Sequence, residues 1–144
     1  VIQTNAPGHR AIRLCTKHDY KTFYNLEIGD RLRTLFPPFA VFVRAQFACA
    51  DENAAADAAE RFANGVTKTI LTALKPANAE NELVFALAGA APIRRREGLF
   101  RYAVIIKLVR TANTAAAINA IYAFSDGCAD ECYRGIEVNP QDML

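Results

Sequence analysis

Two periodicities alternate along this chain and divide it into elements. From Asp19 to Phe36 the apolar residues Tyr20, Phe23, Tyr24, Leu26, Ile28, Leu32, Leu35 and Phe36 recur at spacings that predict an amphipathic helix, with Asp19 as its N-cap and Pro37-Pro38 as its stop. Residues 39–50, FAVFVRAQFACA, then set Arg44 and Gln46 two apart among Val and Phe, as a strand with one solvated face requires. A second helical stretch opens at Asp51, with Ala55, Ala59, Phe62, Val66, Ile70 and Leu74 every three or four residues until Pro76. PANAEN, 76–81, is predicted as a loop. Strands follow at 82–89 and 101–110, then a helix through AAAINAIYAF capped by Asn113 and ended by Gly127, then a short strand GIEV at 135–138. A strand-like VIQT and a Pro7-Gly8 turn precede it all.

Residues 39–139 thus give β-α-β-β-α-β. The order predicts an α+β, ferredoxin-like split βαββαβ fold, with two helices packed on one face of a four-stranded antiparallel sheet and a linking helix in front.

Composition narrows the reading only a little. At 52% hydrophobic over 144 residues the chain can bury a substantial core. A net charge of +2 is too small to announce a nucleic-acid binder, so the electrostatic argument rests on placement. Arg94, Arg95, Arg96, Arg101, Lys107 and Arg110 crowd one segment against Glu97 alone, whereas Asp126, Asp130, Glu131, Glu137 and Asp142 dominate the tail against Arg134. A basic patch and an acidic one are expected. No apolar run approaches the ~20 residues that span a bilayer, and VIQTNAPGHR lacks the basic and apolar regions of a signal peptide, so no membrane partner and a cytoplasmic location are expected. The opening on Val1 suggests a fragment of a longer chain.

The candidate chemistry is a basic hairpin. In APIRRREGLFRYAVIIKL, 91–108, three arginines sit at the predicted connection between the second and third strands, with Phe100 and Tyr102 alongside. Guanidinium groups there would hold an anion, either phosphates with aromatic faces stacking on bases or an acidic peptide; the alternative is a solvated turn with Phe100 in the core. Strand parity sends Arg101 and Lys107 to one face of the sheet and Tyr102 and Arg110 to the other, so these residues cannot all serve one surface. Other signals are weaker. FACADE, 47–52, imitates an acidic magnesium motif, but no Gly in the chain is followed by Lys as a phosphate loop demands, and Asp51 is better read as a helix cap. EGLFR leads into a strand, whereas the phosphate cradle it imitates leads into a helix. Cys15 and Cys49 are expected to be buried, Cys128 and Cys132 lack the further ligands a zinc site needs, and His9 and His18 have no catalytic partners at a convincing spacing. No catalytic residue and no metal ligand is assigned.

VIQTNAPGHRAI, DYKTFYNLEIGDRLRTLFPPF, GAAPIRRREGLFRYAVIIKL and GIEVNPQDML, in this order, resemble the C-terminal portion of the bacterial primosomal protein N′ family of replication-restart DNA helicases. The closing strand departs from the family pattern, with Glu137 and Asn139 where two aspartates are usual. The resemblance implies that residues 1–18 are a remnant of the second motor lobe, 19–38 a linking helix and 39–144 the C-terminal ferredoxin-like domain. It implies no cofactor here, with the ATP, magnesium and zinc of full-length members held upstream, and no ATP hydrolysis by this segment. Its implied partners are single-stranded or forked DNA, single-stranded DNA-binding protein and other primosome proteins, at the nucleoid. Arg94, Arg95, Arg96 and Arg101 would contact phosphates, Phe100 or Tyr102 would offer an aromatic face, and Lys107 and Arg110 would extend the patch. Docking of the acidic tail of single-stranded DNA-binding protein, or a scaffold role for the motor lobes, are the alternatives.

Overall fold

The structure, a computed structural model, describes residues 1–74 and 82–141. The loop expected at 76–81, the helix stop at Pro76 and the acidic Asp142 lie outside the described residues. The chain divides into two compact units, Val1–Phe39 and Ala40–Leu144.

The first unit holds helices α1 (Arg10–Cys15) and α2 (Tyr20–Thr34). The sequence pattern missed α1, which is a short helix capped by the ring nitrogen of His9 accepting from the Ala11 N–H. Asp19 caps α2 as expected from its type, its carboxylate accepting from the Thr22 N–H at 3.1 Å, and Leu35 ends the helix in the left-handed conformation at φ 52°. Asp30 is shared between Arg10 and Arg33 and ties the two helices together. VIQT is not a strand, since among the described residues no strand pairs with it to satisfy its backbone. Cys15 is exposed rather than buried, because α1 buries none of its residues.

The second unit is the expected α+β sandwich of one sheet and two helices. Strands β1 (Ala40–Cys49), β2 (Leu83–Arg96), β3 (Leu99–Val109) and β4 (Tyr133–Val138) form one antiparallel sheet in the order β2-β3-β1-β4. The crossovers carry α3 (Glu52–Ala73), between β1 and β2, and α4 (Thr114–Asp126), between β3 and β4. Alternation decides the packing. Val43, Ala45 and Phe47 of β1 and Val104, Ile106 and Leu108 of β3 are buried against Ala59, Phe62, Val66 and Ile70 of α3 and Ala117 and Ile121 of α4. Phe62 is the hub, its ring centroid 5.5 Å from Phe47, 5.1 Å from Phe124 and 5.6 Å from Tyr133. The other residues of the same strands form the opposite face, which is open toward the hairpin end, whereas Ala40, Phe42 and Lys107 at its other end are buried.

Three local details place the site. Asp51 caps α3, accepting from the Ala54 N–H at 2.8 Å, as its position before the helical run requires. Asn113 does not cap α4; its side-chain amide donates instead to Glu82 at 2.9 Å, and Thr114 accepts the Thr111 N–H. The third detail is a correction. β2 runs on through Arg96, so the arginines stand on a strand and the connection to β3 is only Glu97 and Gly98. Both have positive φ, 53° and 82°, as a two-residue hairpin turn matched to strand twist requires. Pro92, which cannot donate to a ladder, is accommodated because β2 is an edge strand and its register is interrupted between Ala90 and Arg95.

Candidate nucleic-acid interface

The β2–β3 hairpin projects its arginines from one end of the sheet, and each has a different local partner. Arg94 reaches the first residue of α3, its Nε donating to Glu52 Oε1 at 2.6 Å, and the Tyr102 hydroxyl lies 3.3 Å from the same oxygen. That hydrogen bond raises the pKa of Arg94 further, so its charge is permanent at any working pH. Glu52 in turn suits the positive end of α3. Arg95 lays its guanidinium 5.0 Å from the centre of the Phe100 ring, the strand neighbour that its register places opposite. The contact keeps the aromatic and the cation together, as in a stacking site for a base. Arg96 pairs with Glu97 at 3.2 Å, but both side chains are mostly exposed, at 65% and 79%, so the pair contributes little. The Arg94 side chain is 63% exposed despite its ion pair. All three guanidinium groups therefore face water beside two carboxylates.

The remaining candidates separate as strand parity requires. Tyr102 leans toward the helix layer and packs against the core. Arg101 stands on the open face, opposite Ala48 of β1. Lys107 shares that face but is only 8% exposed, its ammonium 5.4 Å from the Phe42 ring and 5.8 Å from Phe85. Arg110 lies just past the end of β3 and is exposed. The structure thus brings together Arg94, Arg95, Arg96, Phe100, Arg101 and Tyr102 at the hairpin end and leaves Lys107 and Arg110 at the far end of β3.

Two further arginines join Arg101 on the open face. Arg44 donates to Glu137 at 2.8 Å across β1 and β4, and Arg134 donates to the carbonyl oxygen of Ala48 at 2.6 Å and of Tyr133 at 3.0 Å. With Gln46 they line a recess of about 40 Å³. Their grouping depends on the register of β1 with β3 and β4, which local sequence does not carry; the one available signal was the alternation that sets Arg44 and Gln46 apart from the core positions of β1. A roomier cleft of about 460 Å³ lies on the helix side between α3 and α4, but its basic residue, Arg61, is bonded to Asp130 at 2.7 Å. Arg61 holds the Asp130 carboxyl below its usual range.

Cysteine chemistry is muted. Cys132 is buried, and burial, with the neighbouring Cys49 adding to it, pushes its thiol up to about 12. Among the described residues, no three His, Cys, Asp or Glu side chains gather as a metal ion would need, and no helix is long and apolar enough to cross a membrane.

The chain is similar to the replication restart protein PriA of Bacillus subtilis. The two are 28% identical over 121 residues, a stretch that covers 84% of this chain and 14% of the relative. No family model matches the chain. The resemblance drawn from the motifs is borne out by this relative, whose length this chain spans only in small part. The fold itself is a βαββαβ domain with its basic hairpin at one end of the sheet.

Proposed function

We propose that this chain is the C-terminal part of a replication-restart helicase and that it binds single-stranded or branched DNA without regard to sequence. The observation that carries this reading is the hairpin end of the sheet, where Arg94, Arg95 and Arg96 stand in an unbroken run on β2, exposed, with Phe100 beneath Arg95. Guanidinium groups recognise phosphate oxygens in any sequence, and an aromatic face accepts any base. The likeness to the replication restart protein PriA supports the biological setting, replication restart. On this reading residues 1–18 end the second motor lobe, 19–38 link it to the domain 39–144, and ATP, magnesium and zinc chemistry belongs to the remainder of the parent protein. Single-stranded DNA-binding protein and other primosome proteins are the further partners it implies.

A fluorescence-anisotropy titration with a labelled forked DNA tests it. Arg95→Glu with Arg96→Glu leaves the Arg94–Glu52 contact intact and reverses two exposed charges, so affinity should fall about tenfold or more, and wild-type affinity should drop steeply with salt. Equal affinity of the double variant and the wild type would overturn the hairpin as the DNA contact.

A further inference from the structure

We propose that the open face of the sheet seats a phosphate of single-stranded DNA in the recess between Arg44, Arg101 and Arg134, so that the strand continues from the hairpin across the sheet. The inference rests on the DNA-binding reading above and adds a second surface to it. Three guanidinium groups line one recess of about 40 Å³, room for more than a single water. Among the described residues the carboxylate bonded there is Glu137, to Arg44. Arg134 is held in place by main-chain carbonyl oxygens, which fix its direction without cancelling its charge. The Arg101 side chain has neither a hydrogen bond nor an ion pair among the described residues, and the same backbone register that brings it beside Ala48 carries it to the recess. Like charges gathered in a partly enclosed site repel one another, and an oxyanion is the ligand that relieves this.

The surface around the recess favours an extended strand. Gly89, Ala103, Gln46 and Gly135 are register neighbours across β2, β3, β1 and β4 in turn, so a row with short side chains at three of its four places crosses the whole sheet, a span of about 14 Å. A Cβ added at Gly89 or at Gly135 would meet nothing within 4 Å, so the space above this row is open. Arg44 borders it on one side and Arg101 on the other, while Leu87, 60% exposed, and Ile105 offer apolar surface to bases. Arginine clusters also take acidic peptide motifs, but the row of short side chains crosses all four strands, the track that a chain of repeating phosphates needs and that a single acidic motif does not.

The test uses the whole chain and a labelled oligothymidylate, titrated by anisotropy over a range of salt concentrations. Arg101→Gln removes one phosphate contact and should lower the slope of log affinity against log salt by about 0.7. Gly89→Val fills the floor without touching charge, suits a strand, and should weaken binding several-fold at an unchanged slope. Lys68→Gln, on the exposed side of α3, should bind as wild type. If Arg101→Gln and Gly89→Val bind as wild type while Arg95→Glu with Arg96→Glu loses affinity, the recess assignment falls and the hairpin reading stands. If wild-type protein binds neither oligothymidylate nor forked DNA, both fall. An oligoglutamate of equal charge that binds more tightly than the oligothymidylate, and is weakened by the same two variants, would make the occupant a peptide and overturn the assignment to DNA.

Discussion

The two faces of the sheet are written in the same strands and obey opposite rules. On the helix side, Val43, Ala45, Phe47, Val104, Ile106 and Leu108 are at most 1% exposed and carry no charge. On the open side their immediate neighbours in sequence are Phe42, Arg44, Gln46, Ala103, Ile105 and Lys107, a mixture of aromatic, aliphatic and cationic groups. One face gains from excluding water and the other from holding charge near it. A strand's period of two lets each be changed while the other is kept. The cations on the open face are also handled in two ways. Lys107 is packed between two aromatic rings, whereas the Arg101 side chain makes no hydrogen bond or ion pair among the described residues. A charge already embraced by the fold serves packing, and one presented at a recess is left accessible to a ligand.

The sharpest way to break this contrast is to cut the core face at its hub. Phe62→Ala removes the ring that touches Phe47, Phe124 and Tyr133, and should cost about 3–5 kcal/mol, a large share of the stability of a domain this size. Urea denaturation followed by circular dichroism measures it. A loss near zero would mean that the helix layer does not hold the sheet. The next effect is alkaline. Cys132 sits in the core cluster with its thiol pushed up to about 12 by burial, whereas an unfolded chain releases that proton near pH ~8.5. Between those values the folded state retains a proton that the unfolded state has lost. Stability therefore falls as pH rises from about 8.5, by about 1.4 kcal/mol per pH unit, and the group contributes nothing to the pH dependence below that range. Urea midpoints for wild type and Cys132→Ala should diverge in slope between pH 9 and pH 10.5, the variant being flatter; parallel lines would place the thiol in water.

The core face was legible in the sequence because alternation and the 3.6-residue period are local, and Phe62, Val66 and Ile70 could belong to no other pattern. The topology followed, since the order of elements and right-handed crossovers leave few ways to close a four-stranded sheet. The helix at 19–36 shows the limit of the same logic. Its apolar spacing resembles that of α3, yet α2 buries no residue and leaves Tyr20, Tyr24 and Leu32 at 72%, 50% and 54% exposure. Periodicity says which side chains share a face, and not whether anything covers it. The hairpin arginines were visible as a charge run, but that they stand on a strand depends on how far β2 pairs with β3. Arg44 and Arg134 are 90 residues apart in number and become neighbours of Arg101 only through register, so the recess was not legible.

The smallest expected effect is the most discriminating, because it asks whether the open face is truly outside the core. Leu87 pairs with Ile105 on that face and is 60% exposed, so truncating it removes little buried surface. Leu87→Ser should change stability by no more than about 0.5 kcal/mol, the ordinary range for surface positions. The same denaturation series that reports Phe62→Ala reads it directly. A cost approaching that of the core variant would mean that the open face packs against something in solution, and the recess would then lie inside an interface. A null effect on stability joined to a measurable loss of oligothymidylate affinity would instead separate the two faces by function, since the only quantity to move would be the one that depends on contact with a base.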